Sequence, residues 1–179
     1  MEQNSKKLAT AKYSYLHGMY WMCFCIIFRF SSVYLLAKGF SNSSIGIILG
    51  IAGIISAVMQ PSVASIADRS NKITVRMLSL ILCLLSLVFS VLLLIFKDKM
   101  FALGILYTFL VILLQTMMPL INALGMECVN MGINVDFGFA RGIGSLTYSL
   151  LSLVIGNVLK GRNPDLIPMV IIGLYIFLI

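Results

Sequence analysis

Acidic and titratable side chains are scarce. The 179 residues include six Asp plus Glu, a single histidine and a single tryptophan, and only 11% are charged. Acid–base or metal-assisted catalysis needs several such groups converging on one point. His17 alone cannot supply that cluster, so no enzyme, catalytic residue, metal or cofactor is expected. The four cysteines, Cys23, Cys25, Cys83 and Cys128, contain no C-x-x-C pattern. Cys23 and Cys25 are two apart, which on a helix points them in different directions, and all four read as small apolar side chains. The N-terminal MEQNSKKLATAK lacks the small-residue cleavage site of a signal peptide, so the first apolar run is kept as a span. Thirteen Lys plus Arg give a net charge of +7, but they stand singly between apolar runs. With no dense basic segment and no base-reading or zinc-binding signature, nucleic acid is not an expected partner. Positive loops at a membrane surface account for the bases better.

Apolar residues are what the chain has in excess: 60% hydrophobic, with a mean hydropathy of +1.05. A soluble domain is about 45–50% apolar and about 25% charged, and one of this size cannot hide so much apolar surface in its core. Crossing the hydrocarbon takes about 20 mostly apolar residues as a helix. By that ruler spans are expected near 14–37, 43–66, 76–96, 101–125 and 139–159. A sixth run over 167–179 is too short for a full crossing and reads as a helix cut part-way. The fold class expected is an all-α integral membrane protein. With the N-terminus inside, Lys6, Lys7, Lys12, Arg69, Lys72, Arg76 and Arg141 fall on the cytoplasmic side, and Lys38, Lys97, Lys99, Lys160 and Arg162 outside. Seven against five agrees in sign with the positive-inside rule, which favours a multi-pass protein of the cell membrane with a cytoplasmic N-terminus.

Gly46, Gly50 and Gly53 recur at helical spacing in the second span and read as a packing face. Pro61 and Pro119 lie inside the second and fourth spans, where kinks are expected. Three spans repeated in inverted orientation fit the length. A charge near the bilayer centre costs at least about 2.5–3.5 kcal/mol, so Arg29, in CFCIIFRFSSVYLL, needs an explanation. It contacts either a solute in a cavity or helix-end carbonyls and a partner elsewhere in the protein. Gln115 is a mid-membrane amide that either bonds a neighbouring helix or lines a cavity. His17, among Tyr13, Tyr15, Tyr20 and Trp21, reads as part of an interfacial aromatic belt.

The stretch GFSNSSIGIILGIAGIISAVMQPSVASIADRSNK resembles the second helix and following loop of the major facilitator superfamily, whose loop has the form G-x-x-x-D-R-x-G-R-K. Asp68 and Arg69 match, Lys72 stands at a usual basic position, and Ala64 and Asn71 replace glycines. The resemblance implies a loop that gates alternating access through charge pairs, with Asp68, Arg69 and Lys72 as its charged members. NVDFGFARGIGSLTYSLLSLVIG resembles the fifth helix of the oligosaccharide–proton symporter group, which includes lactose permease, in its F-G-x-A-R sequence and in Ser145 and Tyr148. The resemblance implies the N-terminal six-helix bundle of a transporter whose sixth helix is truncated here. Its partners would be the C-terminal half, the lipid bilayer, a small-molecule solute and protons. The function implied is proton-coupled import of a small polar solute such as a sugar or oligosaccharide by alternating access. A nucleoside–proton symporter is the alternative, and a non-transporting membrane scaffold is the rival of another class. In sugar-transporting members the fifth-helix arginine pairs with a fourth-helix carboxylate; here Asn122 lies nearest that place. The expected substrate-binding set is therefore Arg141, Ser145, Tyr148, Asn122, Arg29 and Gln115. Arg141, Ser145 and Tyr148 share one helix face, and Asn122 can meet Arg141 if the fourth and fifth helices are antiparallel neighbours. The plainer alternative makes Arg141 a surface anchor paired with Glu127 or Asp136.

Overall fold

A computed structural model of the chain describes residues 2–69, 74–161 and 163–179. Its elements are α1 (Glu2–Phe24), a π-helical turn (Cys25–Arg29), α2 (Ser31–Ala37), α3 (Asn42–Arg69), α4 (Val75–Ile95), α5 (Met100–Asn130), α6 (Phe137–Val158) and α7 (Leu166–Leu178). Among the described residues there is no strand. Four helices are long and apolar enough to cross a membrane: Asn42–Ile66 within α3, then α4, α5 and α6. Lys6–Arg29 together with Ser31–Ala37 makes a fifth if that bent pair is one span. With 13 residues, α7 is shorter.

The helix ends have local causes. Thr74 Oγ1 accepts from Met77 N (3.2 Å) and Asp136 Oδ1 from Phe139 N (2.9 Å), so α4 and α6 each start on a side-chain cap. Gly39, at φ 88°, ends α2: Phe40 N donates to Leu35 O and Gly39 N to Leu36 O, both at 3.0 Å. Gly132 (φ 78°) closes α5 in the same way. This left-handed C-cap satisfies the last carbonyls and favours glycine.

Where one continuous span over 14–37 was expected, the helix is broken. The π turn continues α1 to Arg29, and at Phe30 the chain bends by 41° into α2. A break frees backbone carbonyls, and a low-dielectric interior requires a partner for each. Tyr107 Oη, fully buried on α5, donates to Ile27 O (2.6 Å), and Ser31 Oγ donates to Phe28 O (2.8 Å). The prolines follow the same logic. Both α3 and α5 run through theirs. Pro119 lacks the N–H that would bond the carbonyl of Gln115, and Gln60 Nε2 from α3 donates to that oxygen at 3.1 Å.

Six helical segments result when the broken first one is counted once. α1 packs on α6, α5 and α7; α5 packs on α3 and α4; α4 packs on α7. Exchanging the first three segments for the last three maps these larger pairings onto themselves, as an inverted repeat does, while the smaller α2–α3 and α3–α4 contacts have no counterpart among the described residues. Tyr15 Oη donates to Phe177 O (2.6 Å) near the end that carries the N-terminus. At the opposite end Asp165, just before α7, binds Lys38 Nζ (2.5 Å) beyond α2 and Lys97 Nζ (3.6 Å) beyond α4.

Burial raises the Asp165 pKa, but the Lys38 hydrogen bond and charge, Lys97 and the Asn163 amide together bring it below its ordinary value of 3.8. A carboxylate held lower in the folded state contributes stability that is fully present above that value and is lost as pH falls through the folded value. Asp165→Asn is therefore expected to lower the melting temperature at pH 7, with the gap to the parent closing below about pH 3.8. A melting series between pH 3 and 7 checks this; equal melting temperatures at pH 7 would leave the ion pairs without weight.

Candidate functional site

The polar residues singled out in the sequence gather along the contact between α1 and α6. These helices run in the same direction. Thr10 Oγ1 accepts from Asp136 N (3.2 Å) at one end, and further along Thr147 Oγ1 donates to Gly18 O (3.2 Å). Between them the helices approach closely at Gly144, where an added Cβ would lie 2.5 Å from Trp21 Cδ1 and 2.7 Å from His17 Nδ1. His17 is 1% exposed with neither ring nitrogen hydrogen-bonded. It belongs to this helix contact and not to the interfacial belt expected for it, because Gly144 leaves room for an imidazole against the α6 backbone.

Beside this seam Arg141 and Ser145 are exposed and Tyr148 is half-buried, its ring edge-on to Trp21 (6.2 Å, 81°). From Trp21 the rings continue to Phe24 (5.3 Å) and on to Phe28, stacked on Phe24 at 5.2 Å and 21°. The next residue is Arg29, also exposed, which ends the π turn. Two arginines thus flank a strip of four aromatic rings. Among the described residues the ion pairs are those of Asp165. No ion pair joins Arg141 to Asp136 or Glu127 among the described residues: Asp136 caps α6, and Glu127 lines a separate cleft of ~550 Å³ with Lys12 and Arg76.

Other expected residues are placed differently. The principal neighbour of α6 is α1, so the antiparallel α5–α6 pairing expected to join Asn122 to Arg141 is replaced by a parallel contact. Asn122 is half-buried on α5, and no hydrogen bond links it to Arg141 among the described residues. Gln115 is also half-buried; the neighbouring helix holds its backbone carbonyl, through Gln60. Gly46, Gly50 and Gly53 have nothing within 4 Å of an added Cβ, so the expected packing face is not filled among the described residues. Asp68 and Arg69 close α3, but their side chains, and all of Lys72, lie outside the described residues. No group of three His, Cys, Asp or Glu that could hold a metal occurs among the described residues.

A family model described as the MFS_1 like family matches residues 11–179. The chain belongs to that family, and with it to the major facilitator superfamily. It is a multi-pass membrane protein of a transporter family. No curated protein and no solved structure matches it. Within this superfamily member, Gln60 and the Trp21–Phe24–Phe28 strip are the residues that sequence reasoning missed. Pro119 pointed to the first, since the carbonyl four residues before a proline must find another donor. The i, i+3, i+7 spacing pointed to the second, yet aromatic residues so spaced also fill lipid-facing surface.

The seam tolerates no side chain at 144. Gly144→Ala is expected to cost about 1–3 kcal/mol, as overpacking does, and to shift the emission of Trp21, the sole tryptophan. Thermal unfolding followed by tryptophan fluorescence checks both; an unchanged spectrum and melting temperature would show the helices to be further apart.

Proposed function

We propose that this chain is the N-terminal six-helix half of a secondary active transporter that imports a small polar solute with protons by alternating access. One observation carries the reading. Arg141 and Ser145, both exposed, and the half-buried Tyr148 on α6, with the exposed Arg29 at the end of the π turn, form a polar face on segments long enough to cross a membrane. Arginines exposed to lipid would be costly, so this face borders water or a polar partner. A cavity wall between two halves of a transporter meets that requirement.

The inverted three-plus-three pairing supports the same reading, since solute sites lie at repeat interfaces near the bilayer midplane. The open stripe at Gly46, Gly50 and Gly53 leaves α3 free to pack against a C-terminal half. In this proposal the N-terminus and the loop after Asp68 face the cytosol, the protein resides in the cell membrane, and Asp68, Arg69 and Lys72 gate the inner side. Coupling to protons and the choice of a sugar or oligosaccharide rest on the resemblance of the α6 sequence alone. A nucleoside is the second reading, favoured by Trp21 and Tyr148, against which a base could stack.

A guanidinium offers a planar fork of donors that an ammonium cannot reproduce. Arg141→Lys in the full-length transporter is therefore expected to abolish saturable uptake while surface expression is kept, measured as solute accumulation in cells under an inward proton gradient. Normal uptake by this variant would make Arg141 an anchor and remove the site.

A further inference from the structure

Between Arg141 and Arg29 the α1–α6 face carries no acidic residue, and the one at its end, Asp136, is engaged as the cap of α6. The acidic residues of the chain are Glu2, Asp68, Asp98, Glu127, Asp136 and Asp165. None lies on α6, on the π turn, or on α1 beyond its first residue. Arg141 lies seven residues before Tyr148, and Arg29 lies eight after Trp21, which packs on Tyr148. At 1.5 Å per residue, one positive charge sits about 10 Å to one side of the aromatic contact and the other about 12 Å to the opposite side.

We infer that the solute bound here is an organic anion with a flat ring, its ring against Trp21, Tyr148, Phe24 and Phe28 and its anionic group on Arg141 or Arg29. This rests on the proposed reading of the face as the solute-binding wall. A neutral polyol can accept hydrogen bonds from a guanidinium but leaves its charge uncompensated, and in a desolvated site that charge is expensive. A carboxylate or phosphate ester compensates it and accepts two parallel N–H bonds. Phe24 and Phe28 offer the ring no hydrogen-bonding group, so that part of the strip favours a planar apolar surface over a sugar's hydroxyls. The π turn places Arg29 in this arrangement. Such turns accommodate an extra residue within the helix and occur often at functional sites, and this one ends on the arginine that follows the stacked Phe24–Phe28 pair.

Equilibrium dialysis of the purified full-length transporter against four probes tests the inference: phenyl phosphate, inorganic phosphate, phenyl β-glucoside and phenyltrimethylammonium. Phenyl phosphate is expected to bind saturably, with each of the others roughly tenfold weaker or more. One of Arg141→Gln and Arg29→Gln, whichever arginine holds the phosphate, is expected to weaken it roughly ten- to a hundredfold, the loss typical of a charged hydrogen bond. Trp21→Ala is expected to weaken it about three- to tenfold while leaving inorganic phosphate unchanged. Phenyl glucoside binding as tightly as phenyl phosphate, yet still lost in Arg141→Gln, overturns the anion and leaves the wall in place. Inorganic phosphate binding equally well overturns the ring. Phenyl phosphate binding that is indifferent to both arginines overturns the anion and the wall together, and no phenyl phosphate binding at all overturns the anion. If the arginine variants fail to reach the membrane, the order of the four probes on the parent protein decides.

Discussion

Inside a bilayer every backbone N–H and C=O must find a partner within the protein, and this architecture follows from where the chain departs from regular helix. The two departures that bear on the site are each repaired by a side chain from a different helix. Tyr107 on α5 holds the Ile27 carbonyl of the broken first segment, and Gln60 on α3 holds the Gln115 carbonyl that Pro119 leaves free. These bonds run from α5 to the first segment and from α3 to α5, so repair of the backbone also fixes which helices are neighbours. With the first segment bent by 41°, its initial part lies along α6 while its end turns to meet α3.

The proposed solute-binding face depends on that bend and on one missing side chain. Gly144 lets α6 approach until His17 and Trp21 touch its backbone. Trp21 then reaches Tyr148, and the strip of rings continues to Phe28 and Arg29. At the end away from the N-terminus, Asp165 draws Lys38 and Lys97 together and fixes the start of α7 relative to α2 and α4. Rigid packing on one side and an open polar edge on the other are what a wall needs if solute and a second helical bundle are to approach it.

Much of this was legible in the residues. Long apolar runs separated by short polar breaks identify a helical membrane protein, because few other solutions bury such a composition. Arg29 stood out as a charge inside an apolar run, whereas Arg141 and Tyr148 became candidates only through the resemblance of their stretch to a transporter helix. The pairing of helices was not readable. Proximity in sequence made α5 the expected neighbour of α6, whereas the closest contact is with α1, through a small residue whose role becomes visible only when Gly144 and Trp21 face each other. The π turn was equally hidden: CIIFR has no proline or glycine to mark a break, and its stabilising donor Tyr107 lies 80 residues away. The glycines of α3 misled for the opposite reason, since their spacing marks a packing face without saying whose.

The central claim is that the α1–α6 edge borders water and not lipid. Single cysteines at Arg29, Arg141 and Ser145, introduced into the full-length transporter after its native cysteines are replaced by serine, test it most directly through labelling with a membrane-impermeant thiol reagent in open membrane sheets. Leu153, an exposed apolar position on α6, serves as the lipid-facing control. The account predicts rapid labelling at 29, 141 and 145 and none at 153. Cysteines at 29 and 145 as inert as the one at 153 would place this edge in lipid and contradict it.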